Sequence, residues 1–262
     1  MRRPSRITDD DYNVSMLGES DFEPVIDAHK SRRDICSYRT QKNKRLELAR
    51  LCVEKAKLCY CWRNHIRTHY TIFSENADDG GTEIFRVPKP DDKEAFAACN
   101  EDLLRWYNDL PNNCKYVSLT CDTDNPEDTT VALNRTILHM TYFAAVATLH
   151  RSRYTAMLRD PGASLFEKEL SKLSMQNAAM QISDMAAEIH NSGMDIFLPT
   201  LGISVLVSAA VIHLLEVKGV IQADRKRAYK GYRRCMSVIE SLKDMYVVAD
   251  LAKDAMEERD LS

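Results

Sequence analysis

Five polar side chains occur on stretches that are otherwise apolar, and they are where this chain could hold chemistry: His139, Tyr142, His150, Arg151 and His213. The first four lie within Leu138 to Tyr154 (LHMTYFAAVATLHRSRY). Imidazoles at such places could bind a metal ion or move a proton. His139 and His150 are eleven residues apart, three helical turns, so they share a face yet stand ~16 Å from each other. That is too far to share a metal. Two roles are left for these five residues: polar contacts to a small ligand held between helices, or core groups satisfied by hydrogen bonds.

Other constellations are missing. There is no glycine-rich phosphate loop, no Gly-x-Ser-x-Gly elbow and no His-Glu-x-x-His. Asp184 and Glu188 are spaced as a carboxylate pair, but their polar neighbours predict solvated groups. Eight cysteines (Cys36, Cys52, Cys59, Cys61, Cys99, Cys114, Cys121 and Cys235) include no Cys-x-x-Cys. Cys59 and Cys61 fall inside a helical stretch, where positions two apart point in different directions. Cys52 and Cys59 read as packing residues. The N-terminal MRRPSRITDDDYNV has charge but no apolar core, so no signal peptide is expected and the thiols should be reduced. No catalytic residue, metal ligand or cofactor is expected in these residues, and no enzymatic activity.

The elements that must position the five candidates are helices. Only 8 Gly and 8 Pro occur in 262 residues, and 44% of the chain is apolar. Good helix formers dominate the periodic stretches. Leu133, Ile137, Met140, Ala144 and Ala147 follow a three-and-four spacing, and Leu138, Phe143, Val146 and Leu149 widen that stripe. A helix this apolar belongs at the centre of its domain. Around it the pattern predicts helices over about 42–67, 93–110, 128–159, 165–190, 199–217, 224–246 and a short 248–259. Asp91 or Asp92 should cap the second helix, and Pro111 should stop it. Ser164 with Glu167 reads as a capping box, and Asn191-Ser192-Gly193 as a helix stop. The stretches from Ser74 to Pro90 and from Asn112 to Pro126 read as loops. The expected architecture is an all-α irregular multi-helix domain of six to seven helices over 41–262, preceded by an extended segment, 1–40.

Charge is segregated although the net value is only −3. Twelve Lys or Arg stand against three acids between Lys30 and Arg67, with acidic residues on both flanks. Strong DNA binding needs a basic surface its neighbours do not neutralise, so a solvated helix face is the expectation here. Ile196 to Leu215 is a run of twenty residues without Asp, Glu, Lys or Arg, which is membrane-spanning length. Pro199, Gly202, Ser204, Ser208 and His213 within it favour a buried central helix, and no membrane association is expected.

The residues also resemble a family. LHMTYFAAVATLHRSRY is similar to the leucine-histidine-x-x-tyrosine helix, ending in histidine-arginine, of the fungal-specific transcription factor domain. This is the regulatory middle homology region of fungal zinc-cluster transcription factors. Arg2 to Phe22 resembles the family's Gly-Arg-Pro-x-x-Ile stretch and the acidic residues after it, through Arg3, Pro4, Ile7, Asp10 and Asp11. Arg2 stands where the family has Gly, and Met16-Leu17 lacks the family's Pro. FLPTLGISVLVSAAVIHLL (Phe197 to Leu215) resembles its proline-opened helix ending in apolar-His-Leu. YRRCMSVIESLKDMY (Tyr232 to Tyr246) resembles its closing helix. The four occur in the family's order, with wording closest to the cutinase transcription factor subgroup.

The resemblance implies a nuclear regulatory domain controlling RNA polymerase II transcription, with a small metabolite as a candidate effector. It implies homo- or heterodimers with related factors. DNA contact and zinc would belong only to an N-terminal six-cysteine module absent from these residues. Its alternative is a truncated paralogue that dimerises with, or titrates, a full-length factor.

Overall fold

In the computed structural model the chain folds as helices packed on two sides of one long central helix. The structure describes residues 14–23, 35–76, 82–88, 93–119, 126–217, 222–247, 249–251 and 253–254. Several sequence expectations fall outside these residues: the family-like positions Arg3 to Asp11, the cap at Asp91 or Asp92, Cys121, and most of the short helix over 248–259.

Among the described residues, six α-helices follow in order: α1 (Ile35–His69), α2 (Lys93–Asn108), α3 (Pro126–Arg159), α4 (Leu165–Asn191), α5 (Thr200–Val217) and α6 (Gln222–Ser241). The all-α class and the central apolar helix are as the periodicity predicts. One difference lies between α1 and α2. Strands β1 (Tyr70–Asn76) and β2 (Thr82–Pro88) pair antiparallel, with Phe73 opposite Phe85. The loop expected from Ser74 to Pro90 is therefore largely a hairpin. Tyr70-Thr71-Ile72-Phe73 and Ile84-Phe85-Arg86-Val87 are rich in β-branched and aromatic residues, and that preference prevails.

Helix α3 has apolar residues on nearly all sides because it belongs to two cores. Leu133, Ile137, Met140 and Ala147 pack into a core with α4, α5 and α6. Val131, Leu138, Tyr142, Ala145 and Leu149 pack into a second core with α1 and α2. Phe143 and Val146 touch both. Trp106 ties α2 to α1 by donating its indole N–H to the Glu54 carbonyl at 3.1 Å.

Helix α5 holds the uncharged run. Ile203, Leu206, Ala209, Ala210 and His213 are fully buried. Small residues there let α4 and α6 approach closely. Helix α4 ends in a Schellman turn: Gly193 takes φ +64°, Met194 N–H bonds the Ile189 carbonyl at 3.0 Å, and Gly193 N–H bonds His190 at 3.0 Å.

Local expectations change at three places, and a fourth is met. Ser164 sits at the N-cap of α4, but its side chain makes no cap bond, and Glu167 turns away to other partners. Cys52 and Cys59 are exposed, because Ala49, Leu51, Val53 and Leu58 form the buried side of α1. Asp184 and Glu188 both reach partners on other elements, Asp184 while its side chain stays 48% exposed, as a solvated group would. Asp184 pairs with Arg234 of α6, and Glu188 accepts the Tyr116 hydroxyl at 2.6 Å and the Leu119 N–H at 2.9 Å. Within the basic stretch, Arg50 pairs with Glu19 of the acidic segment before it, at 3.1 Å.

Candidate functional site

One face of α3 carries the site. Phe143, Val146, His150 and Arg153 recur at steps of three and four, so they project on the same side of the helix. With Tyr142 they form one wall of a cavity of about 460 Å³. Phe96, Asn100 and Leu104 of α2 form the second wall. The third comes from α4, where Glu167, Ser171, Ser174 and Asn177 line a strip of small polar groups beside Leu170 and Ala178. The volume falls in the range typical of small-molecule sites.

The two ends differ in chemistry. At one end Arg153 is 7% exposed, its guanidinium 4.4 Å from the centre of the Phe96 ring. A nitrogen of that guanidinium lies 3.4 Å from a Glu167 carboxylate oxygen, and Lys93 lies 3.5 Å from the same oxygen. His150, also 7% exposed, meets Phe96 edge-on at 5.3 Å. Burial and the neighbouring Arg153 charge push the His150 pKa down to about 4, so its ring is neutral at physiological pH. Its Nδ1 is buried without a hydrogen-bond partner among the described residues.

The other end is aromatic. Tyr142 stacks on Trp106 at 5.5 Å and on Tyr107 at 4.7 Å, and Phe143 meets it edge-on at 5.2 Å. Burial raises the Tyr142 phenol to about 12, which keeps it uncharged.

Of the five residues singled out from the sequence, the fold brings Tyr142 and His150 to this cavity. His139 points elsewhere, donating its Nε2–H to the Cys114 carbonyl at 3.0 Å. His213 lies fully buried on α5 and donates Nε2–H to the Ala179 carbonyl at 3.2 Å. Arg151 is half-buried and outside the cavity. Arg153 and Glu167 were missed. The signal for Arg153 was present: it follows His150 by three and Val146 by seven, whereas Arg151 sits ~100° around the helix from His150. Glu167 carried no such signal, since its spacing from Ser164 reads as a cap.

A second polar cluster joins the turn after α4 to the end of α6. Asp195 accepts from His190 Nδ1 at 2.6 Å and from Ser241 Oγ at 2.8 Å, both on the same oxygen. A nucleophile relay needs the imidazole between hydroxyl and carboxylate. Here the carboxylate is the hub, and the arrangement is a clamp. Among the described residues, no three His, Cys, Asp or Glu side chains converge as metal ligands.

Comparison with known proteins agrees with the four sequence motifs. The chain is 35% identical over 262 residues to the cutinase transcription factor 1 beta of Fusarium vanettenii, covering 96% of this chain and 30% of that protein. A transcription factor of Fusarium pseudograminearum is 27% identical, covering 96% of this chain and 29% of its own length. The transcription factor cpaR of Aspergillus oryzae is 26% identical over 84% of this chain and 37% of its own length. No protein-family model and no solved structure matches. The chain spans about a third of the length of these relatives. By these relationships, nearly its whole length belongs with one stretch of the fungal transcription factors.

Proposed function

We propose that this chain is the regulatory portion of a fungal transcription factor and controls transcription by RNA polymerase II in response to a small metabolite. The observation that carries this reading is similarity to three fungal transcription factors, each over more than four fifths of the chain. The fold supplies a device for such a response. Helix α3 takes part in both cores and lines the cavity, so filling the cavity would bias the packing of α1 and α2 against α4, α5 and α6. On this reading the protein acts in the nucleus, pairs with itself or a related factor, and reaches DNA through a separate zinc-cluster module.

The test joins residues 1–262 to a heterologous DNA-binding module placed upstream of a reporter gene. Reporter output should depart several-fold, in either direction, from that of the module alone. Equal output from a fusion shown to be expressed and folded would remove the proposal.

A further inference from the structure

Helix α6 carries six Lys or Arg and no acid between Arg225 and Arg234. The fold divides them into two groups. Arg227 is held by Glu216 of α5 at 3.1 Å and by Asp224 at 3.5 Å, and Arg234 is held by Asp184 of α4. Arg225, Lys226, Lys230 and Arg233 are exposed, and their side chains pair with no acid among the described residues. Further along α6, Glu240 is taken up by Lys243 at 2.7 Å and Lys253 at 2.8 Å. The acids that α6 does meet are thereby matched, and the four cations are left over.

Their placement is regular. Lys226, Lys230 and Arg233 follow at steps of four and three, so they form one ridge about 10 Å long. Arg225 flanks it, and Tyr229, 49% exposed, stands within the same face. This arrangement works against the helix that bears it. Like charges three and four residues apart repel each other, and cations near a helix N-terminus oppose its dipole. A polyanion laid along the ridge would relieve both.

The shape of the face selects among polyanions. An acidic amphipathic peptide needs an apolar groove for its anchors. Among the described residues of α6, Tyr229 is the only large apolar-bodied side chain that is exposed. A basic run read as an extended peptide, as an import signal would be, requires α6 to unwind. Ala228 and Cys235 are fully buried within this run and Tyr232 is 4% exposed, so the helix is anchored along its length. A convex ridge of cations with one phenol hydroxyl suits a phosphate backbone, which is met by Lys, Arg and Tyr without any groove on the protein.

We propose that the exposed face of α6, through Arg225, Lys226, Tyr229, Lys230 and Arg233, binds the phosphate backbone of duplex DNA without regard to sequence. The choice of DNA as the polyanion rests on the transcription-factor reading; the basic ridge does not. Such a contact would add salt-dependent affinity to whatever module reads the bases.

Fluorescence anisotropy of the whole chain with a labelled 20-base-pair duplex of arbitrary sequence tests it. Binding should fall in the range of roughly 10⁻⁴–10⁻⁶ M and weaken with salt on a logarithmic slope of about −3. Lys226→Ala with Lys230→Ala should weaken binding about tenfold and flatten that slope by about two. The same pair removes a like-charge repulsion, so the thermal midpoint should hold or rise. Lys168→Ala with Lys172→Ala removes as much charge from α4 and should leave binding within about twofold.

The proposal is overturned if the chain fails to bind the duplex at low salt, if the α6 pair leaves binding intact, or if the two pairs weaken it equally. Poly-glutamate that binds the chain more tightly than the duplex does, and loses that binding in the α6 pair, would assign the ridge to an acidic protein segment and also overturn it. Duplex binding with a silent reporter fusion would remove the regulatory reading and leave the ridge. A reporter response without salt-sensitive duplex binding would remove the ridge alone.

Discussion

The imidazole of His213 on α5 lies directly against the backbone of Gly231 on α6. A Cβ at residue 231 would fall 2.5 Å from both Cε1 and Nε2 of that ring. Glycine in a helix interior is ordinarily a loss of stability, about 1 kcal/mol against alanine. Here it opens the space that lets α6 cross over a fully buried histidine whose Nε2–H is bonded to the Ala179 carbonyl of α4. The pair therefore joins three helices in one contact.

Gly231→Ala should consequently destabilise the chain by about 2 kcal/mol in urea denaturation, against the sign that helix propensity predicts. Combining it with His213→Ala should recover at least about 1 kcal/mol of the summed losses. A stabilised single variant would mean that the ring is free to move aside.

Acid should loosen the fold through three histidines, since burial also lowers the His139 pKa. Burial drives His213 and His150 down to about 4 from an ordinary value of 6.5. The folded state thus binds fewer protons than the unfolded state between those values. Their contribution is complete above pH 6.5 and is lost as pH falls toward 4, by up to about 3 kcal/mol each. Thermal midpoints measured from pH 7 to 4 should fall accordingly, and His150→Phe should flatten that fall by removing one of the three groups.

Glu188 anchors the segment that leads into α3. Its carboxylate receives both the Tyr116 hydroxyl and the Leu119 amide on one oxygen. Glu188→Ala leaves both donors unmet and should cost about 2 kcal/mol, whereas Glu188→Gln keeps an acceptor and should cost less than about 1. Equal losses in the two variants would argue against the bonds.

The double membership of α3 predicts equal sensitivity on its two sides. Leu138→Ala faces α1 and α2, Met140→Ala faces α4 and α5, and each should cost about 2–5 kcal/mol. Leu158, exposed near the end of the same helix, should tolerate alanine within about 0.5 kcal/mol. Chemical denaturation of the three variants separates these cases.

Much of the fold can be read from local pattern. Apolar spacing around Leu133 to Leu149 identifies the central helix, Pro111 and Gly193 mark helix ends, and the His- and Tyr-bearing motif marks the family. These signals involve residues within a turn or two of each other. The hairpin from Tyr70 to Pro88 escaped because its two short runs lack strict alternation, and pairing between them supplies the order that neither shows alone.

The site was legible only in part, and Arg153 and Glu167 show why. Arg153 shares a face with His150 and was within reach of helical geometry, but Arg151 competes with it in a plain reading of the motif. Glu167 could not be assigned without the fold: a residue three past Ser164 has a local use as a cap, and only the approach of α3 and α2 offers it Arg153 and Lys93 instead. Asp184 and Glu188 follow the same rule: each meets a partner at least fifty residues away, Asp184 while staying half exposed.

By itself, then, the sequence determined the helices, their ends, the central place of α3 and the kinship with fungal transcription factors, because periodicity, turn residues and motif wording are properties of neighbours along the chain. Tertiary structure decided which polar groups meet. It enclosed His150 with Arg153 and Phe96, set His139 against Cys114 and placed His213 on Gly231. Those pairings depend on how three or four helices cross, and no spacing along a single helix encodes the crossing.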